Sequence, residues 1–69
     1  MNEQQIENKI SKFIFNMGEY KGKWDIKIET VESRNRDRGF IEYITFNGES
    51  KTEVLEKAYI YLSDNNLLQ

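Results

Sequence analysis

Two short segments with alternating apolar residues constrain the fold of this chain most strongly. In "WDIKIET", residues 24–30, Trp24, Ile26 and Ile28 alternate with charged residues, a pattern typical of a strand with one buried face. In "FIEYITF", residues 40–46, apolar side chains occur on both faces. Because a short polar segment with turn-forming residues separates the two, the pattern predicts an antiparallel β-hairpin.

The charges on the two strands indicate how they pair. A hairpin centred on Arg36 places Ile28 opposite Ile44, whereas moving the centre by half a residue brings Glu29 opposite Glu42. Like charges directly opposite each other are destabilising, so we expect the register centred on Arg36. It directs four apolar residues towards the core (Ile26, Ile28, Ile44 and Phe46) and three residues away from it (Lys27, Glu29 and Tyr43).

Helical periodicity occurs on both sides of the hairpin. The first helix is predicted from about Glu3 to Met17, with Asn2 as its N-cap and Gly18 just beyond its end. The second is predicted from about Lys51 to Asp64, where Ser50 and Glu53 resemble a capping box. The apolar residues that share a helical face are Ile6, Ile10, Phe13, Ile14 and Met17 in the first helix, and Val54, Leu55, Ala58, Tyr61 and Leu62 in the second.

These elements predict a single α+β domain over residues 1–69. The expected order is α-β-β-α, in two layers, with both helices packed on one face of the antiparallel hairpin. Residues 19–23 are a candidate for a short third strand.

The composition excludes several classes of function. The chain has no cysteine and no histidine, which removes the usual zinc sites and the nucleophile–histidine pairs of many hydrolases. No glycine-rich phosphate loop occurs, and the acidic residues follow no metal-binding or acid–base motif. We therefore expect no enzyme activity, no cofactor and no metal. The apolar runs are too short to span a membrane, and the lack of cysteine fits the cytoplasm.

The stretch "SRNRDRGF", residues 33–40, is predicted to form a hairpin loop of three to five residues. Its arginines, Arg34, Arg36 and Arg38, are candidates for a protein contact, for phosphate contacts with nucleic acid, or for a solvated turn. Asp37 interrupts the positive charge and the whole chain has a net charge of −2, which is unlike a dedicated phosphate-binding surface. The protein contact is therefore preferred over nucleic acid.

Several apolar residues fall outside the predicted core. Phe15 and Ile60 point away from the helical stripes, and Val31, Ile41 and Tyr43 belong to the sheet face that the helices leave open. Clusters of this kind often mark an interface, and a two-stranded hairpin also has free edges. These five residues and the three arginines form the predicted partner-binding set. The partner is another protein, or a second copy joined through the sheet face or edge.

Two family comparisons follow from the element order. Double-stranded-RNA-binding domains have the order α-β-β-β-α and a lysine-rich start to the last helix. Here that segment reads "KTEVLEKAY" and a full third strand is not predicted, so this comparison is set aside. In size, charge and element order the chain resembles small phage and mobile-element proteins of the anti-CRISPR or anti-defence kind. That resemblance implies an inhibitor that binds a host defence or nucleic-acid-processing protein.

Overall fold

The described part of the fold consists of two helices and a three-stranded antiparallel sheet. The computed structural model describes residues 2–30, 33 and 41–68. The three strands lie side by side in the order in which they occur in the chain, and the helices cover one face of the sheet. The predicted α+β class with both helices on one face is confirmed, and the described helices and strands follow the order α-β-β-β-α. The elements are α1 (Glu3–Ile10), a 3₁₀ turn (Ser11–Phe13), β1 (Ile14–Tyr20), β2 (Lys23–Glu29), β3 (Tyr43–Gly48) and α2 (Lys51–Asp64).

The first helix is shorter than its apolar spacing predicts. Asn2 caps α1 as expected, and its side chain and that of Gln5 form a reciprocal capping box. The helix ends at Ile10, however, and residues 14–20 form β1 rather than two further helical turns. The prediction of a helix to Met17 was therefore wrong. Gly18, predicted to follow that helix, lies inside the strand.

Pairing with β2 explains why these residues adopt a strand. Phe13 to Met17 suits either structure, because its apolar residues fit a helical stripe while aromatic and β-branched side chains favour strands. Lys21 and Gly22 both have positive φ, 52° and 80°, as a two-residue type I′ turn requires. This turn joins β1 to β2, and β1 pairs with β2 along most of its length. The additional strand is therefore β1, which is longer than the candidate at residues 19–23 and begins earlier in the chain.

The register between β2 and β3 is the predicted one. Ile28 pairs with Ile44 and Ile26 with Phe46, while Glu29 pairs with Tyr43 on the opposite face. Strand β3 begins at Tyr43 rather than at residue 40, and the loop predicted within residues 33–40 lies outside the described residues except for Ser33. One backbone hydrogen bond, from the amide of Thr30 to the carbonyl of Glu42 at 3.0 Å, continues the ladder beyond the strands.

The core lies between the helices and the inner face of the sheet. Its buried residues come from α1, the 3₁₀ turn, β2 and α2, so every layer contributes. Half-buried side chains, including Ile14 and Met17 from β1, surround this centre. The predicted inner-face and helical residues thus form the core, although Ile14 and Met17 reach it from a strand. The buried apolar residues are Ile6, Ile10, Phe13, Ile26, Ile28, Val54, Leu55, Ala58 and Leu62.

A hydrogen-bonded cap fixes the start of α2. Ser50 Oγ accepts from the amide of Glu53 at 3.1 Å, as the sequence predicts. The carboxylate of Glu53 accepts from the amide of Glu49 at 2.9 Å, one residue earlier than in a standard capping box. This bond, reinforced by the ammonium group of Lys57, holds the pKa of Glu53 below its usual range.

Candidate protein-binding face

Within residues 2–30, 33 and 41–68, the helices α1 and α2 lie on one face of the sheet and leave the other face open. The central strand places alternating charges on this open face: Lys23, Asp25, Lys27 and Glu29. Around them lie polar or small residues from the two outer strands: Asn16, Gly18, Thr45 and Asn47. The open face is therefore mainly polar and close to neutral, and its apolar side chains stand out.

Three exposed apolar residues gather at one end of the open face, and we name Phe15, Ile41 and Tyr43 the aromatic patch. Phe15 is 59% exposed and Ile41 57%, while Tyr43 is less exposed at 37%. The rings of Phe15 and Tyr43 meet across β2, with centroids 4.4 Å apart and planes tilted by 33°. Tilted pairs at this separation attract each other, so the two rings form one surface.

A break in strand pairing places Phe15 on this surface. Ile14 pairs with Ile28 and Asn16 with Lys27, which leaves Phe15 as the extra residue of a β-bulge. Phe15 does not fit the predicted helix because it belongs to a strand.

The patch borders a shallow depression of about 160 Å³ at the end of the sheet. Lys12 and Glu29 contribute opposite charges to its rim. The ammonium group of Lys12 also lies 5.3 Å from the ring centroid of Phe13. Apolar rings with charges of both signs beside them are typical of the mixed surfaces that bind proteins.

Ser33 fixes the chain beside the same end of the sheet. It is only 6% exposed, and its hydroxyl donates to a carboxylate oxygen of Glu29 at 2.9 Å and accepts from the amide of Glu42 at 3.0 Å. The amide of Ser33 donates to the hydroxyl of Thr30 at 3.1 Å. These bonds fix Glu42, and through it the neighbouring Ile41 and Tyr43. Sequence reasoning missed Ser33, although serine and threonine three residues apart are typical of turns.

Ile60 lies apart from the aromatic patch. It is 58% exposed on α2, in the helical layer, where a depression of about 460 Å³ is lined by Ile6, Glu56, Tyr59 and Ile60. The structure thus brings Phe15, Ile41 and Tyr43 together and places Ile60 on the other layer. The predicted contacts of Val31, Arg34, Arg36 and Arg38 lie outside the described residues and stay predictions.

Lysines near the start of α2 take part in intrachain ion pairs. Lys51 contacts Glu7 at 3.2 Å, and Lys57 contacts Glu53 at 3.1 Å and the carbonyl of Asn47 at 2.6 Å. Double-stranded-RNA-binding domains were set aside partly because a full third strand was not predicted, and the presence of β1 removes that reason. The other reason stands, because these lysines are few and already paired with this chain's own groups.

Further observations concern ions, membranes and relatives. Across residues 2–30, 33 and 41–68, no cluster of three or more acidic residues is arranged to hold a metal ion. In that part of the chain, no helix is long and apolar enough to cross a membrane. Comparison with protein-family models, curated proteins and solved structures finds no match to this chain.

Proposed function

We propose that this protein is a non-catalytic binding module that docks another protein on the open face of its sheet. The observation that carries the proposal is the contact between Phe15 and Tyr43, two exposed rings on the face that α1 and α2 leave uncovered. Aromatic residues are enriched at interfaces because they bury a large area with little loss of side-chain entropy.

The charges favour a protein partner over nucleic acid. The central row of the open face alternates lysine with aspartate and glutamate, so its positive charges do not form a continuous track. A surface that binds phosphates shows a clear excess of positive charge, whereas a protein interface tolerates mixed charges around an apolar centre. The aromatic patch therefore serves as the centre of the interface, with Lys12 and Glu29 at its rim.

The finer proposal concerns the partner. The resemblance to small anti-defence proteins of phages supports an inhibitor of a host defence or nucleic-acid-processing protein, acting in the cytoplasm. The arginines at positions 34, 36 and 38 belong to the same proposal as additional contacts, because in the chain they stand between Ser33 and Ile41.

Quantitative capture tests the proposed surface. Tagged wild-type protein is compared with the double variant Phe15→Ser/Tyr43→Ser and with Ile60→Ser, and proteins bound from host lysate are measured by mass spectrometry. Ile60 is a matched control because it is exposed to nearly the same fraction as Phe15 but lies on the helical layer. We expect the double variant to retain at least about tenfold less of a specific partner, as interface hot spots do. Ile60→Ser should bind like the wild type.

Two results would contradict the proposal. Equal capture by the double variant and the wild type would show that the aromatic patch is not the binding surface. Tight binding of the wild type to generic DNA or RNA, falling steeply with salt, would favour nucleic acid instead.

A further inference from the structure

The two edges of the sheet differ in how they are covered. At β3, the ammonium group of Lys57 reaches the carbonyl of Asn47, and lysines at sheet edges are a common protection against strand pairing. Within the described residues, no hydrogen bond joins residues 15–20 to any segment except β2 and the adjoining turn. Among the described residues, then, no segment pairs with the outer edge of β1, which leaves this edge as a candidate for pairing with another strand.

The geometry of the turn shows which groups this edge presents. Tyr20 and Lys23 flank the two-residue turn and therefore exchange backbone hydrogen bonds with each other. Because bonded and non-bonded pairs alternate along an antiparallel ladder, the backbone groups of Glu19 and Met17 point away from β2. Two residues with free amides and carbonyls, separated by Gly18, form a symmetrical set of donors and acceptors.

We propose that β1 pairs antiparallel with β1 of a second copy, around a two-fold axis at Gly18. Met17 of each copy then bonds with Glu19 of the other, and the free backbone groups of both edges are paired. Identical surfaces that meet around a two-fold axis form a closed dimer rather than a filament.

The sequence of β1 fits this register. Glu19 is the only charged residue in the strand, and pairing centred on Glu19 would bring two like charges together. A centre at Gly18 avoids that contact and restricts the new ladder to residues 16–20, clear of the bulge at Phe15.

The dimer explains the exposure of Tyr20 and extends the binding face. Tyr20 is 74% exposed in the single chain, and the proposed register places it opposite Asn16 of the second copy. Because the axis is perpendicular to the sheet, both open faces lie on the same side of a six-stranded sheet. The two aromatic patches stay uncovered, so this inference goes beyond the proposed function and stands or falls without it.

Sedimentation measurements on the purified protein, without any partner, test the dimer. The key variant is Gly18→Lys, which places two like charges at the axis. A side chain fits there, since a β-carbon at Gly18 has the carboxylate of Asp25 as its nearest neighbour at 3.9 Å. The matched control is Asn47→Lys, because Asn47 pairs with the same Asp25 from the β3 side.

We expect the wild type and Asn47→Lys to dimerise as concentration rises from micromolar to millimolar. Gly18→Lys should need at least about tenfold more protein, because like charges directly opposite are unfavourable. A wild type that stays monomeric over this range would overturn the proposal, as would dimerisation of Gly18→Lys at the wild-type concentration. Loss of the dimer in Asn47→Lys alone would place the interface at β3 and overturn it too.

Hydrogen exchange of the wild type provides a second test that does not depend on the folding of a variant. The amides of Met17 and Glu19 should exchange more slowly as concentration rises, because they become bonded in the dimer. Exchange of these two amides at the same rate at all concentrations would contradict the proposed pairing.

Discussion

The two faces of the sheet use the same three strands for different purposes. On the inner face, Ile26 and Ile28 are completely buried beneath the helices. On the outer face, Phe15 and Tyr43 contact each other, and neither α1 nor α2 covers them. The comparison shows that apolar residues in one sheet need not share one role. Burial against the helices stabilises the fold, and the exposed rings remain available for binding.

The largest expected effect comes from the helix-covered side. Leu55→Ala or Ile10→Ala should lower the free energy of unfolding by about 2–5 kcal/mol, since each removes a fully buried side chain and leaves a cavity. In a domain this small that loss is a large part of the total stability. Thermal melts that barely move for both variants would show that the inner face does not carry the fold.

Ser33→Ala should have the next largest effect. It removes the hydroxyl that accepts from the amide of Glu42 and donates to Glu29. Losing the bond to the Glu29 carboxylate together with the bond from the Glu42 amide should cost about 1–3 kcal/mol, which urea unfolding can measure. Ser63→Ala, at an exposed position of α2, is the control. If the two variants have equal stability, Ser33 does not fix the connection between β2 and β3.

The aromatic patch should matter less for stability than either of these sites. Phe15→Ala and Tyr43→Ala together should cost only about 0.5–1.5 kcal/mol, the range measured for the attraction within an aromatic pair. Comparing the melting temperature of this double variant with that of Leu55→Ala tests the difference between the two faces directly. Unfolding of the patch variant at room temperature would show that the outer face is part of the core.

The smallest effect is expected at the start of α2, which belongs to neither face. The pKa of Glu53 is lowered in the folded state, so its stabilising contribution is present above the unfolded pKa and is lost as pH falls through the folded pKa. Glu53→Gln should melt slightly below the wild type at neutral pH, and the gap should close on acidification. Glu56→Gln is the exposed control on the same helix. A gap for Glu53→Gln that widens in acid would contradict this sign.

Secondary structure and strand register are predicted correctly where a sequence pattern fits only one structure. The alternation in β2 and the cost of placing Glu29 opposite Glu42 are sufficient to predict the register with β3. The caps at Asn2 and Ser50 are likewise local, so the starts of both helices are predictable.

The sequence predicts less well where helix and strand compete. The apolar residues from Phe13 to Met17 have helical spacing. They form a strand because the turn at Lys21 and Gly22 allows this segment to pair with β2. Pairing between segments is a tertiary effect that overrides local preference. The aromatic patch could not be predicted for the same reason. A helix predicted through Phe15 separates this residue from Tyr43 on the sheet and makes it look like Ile60, an outward-pointing residue of a helix.

Nuclear magnetic resonance with the captured partner tests most directly that the open face is the binding face. The backbone amides of the isotopically labelled protein are followed while unlabelled partner is added. We expect the largest chemical-shift changes at Phe15, Ile41 and Tyr43, and little change at Tyr59 and Ile60 on the helical layer. Changes centred on Tyr59 and Ile60, with the aromatic patch unaffected, would contradict the account.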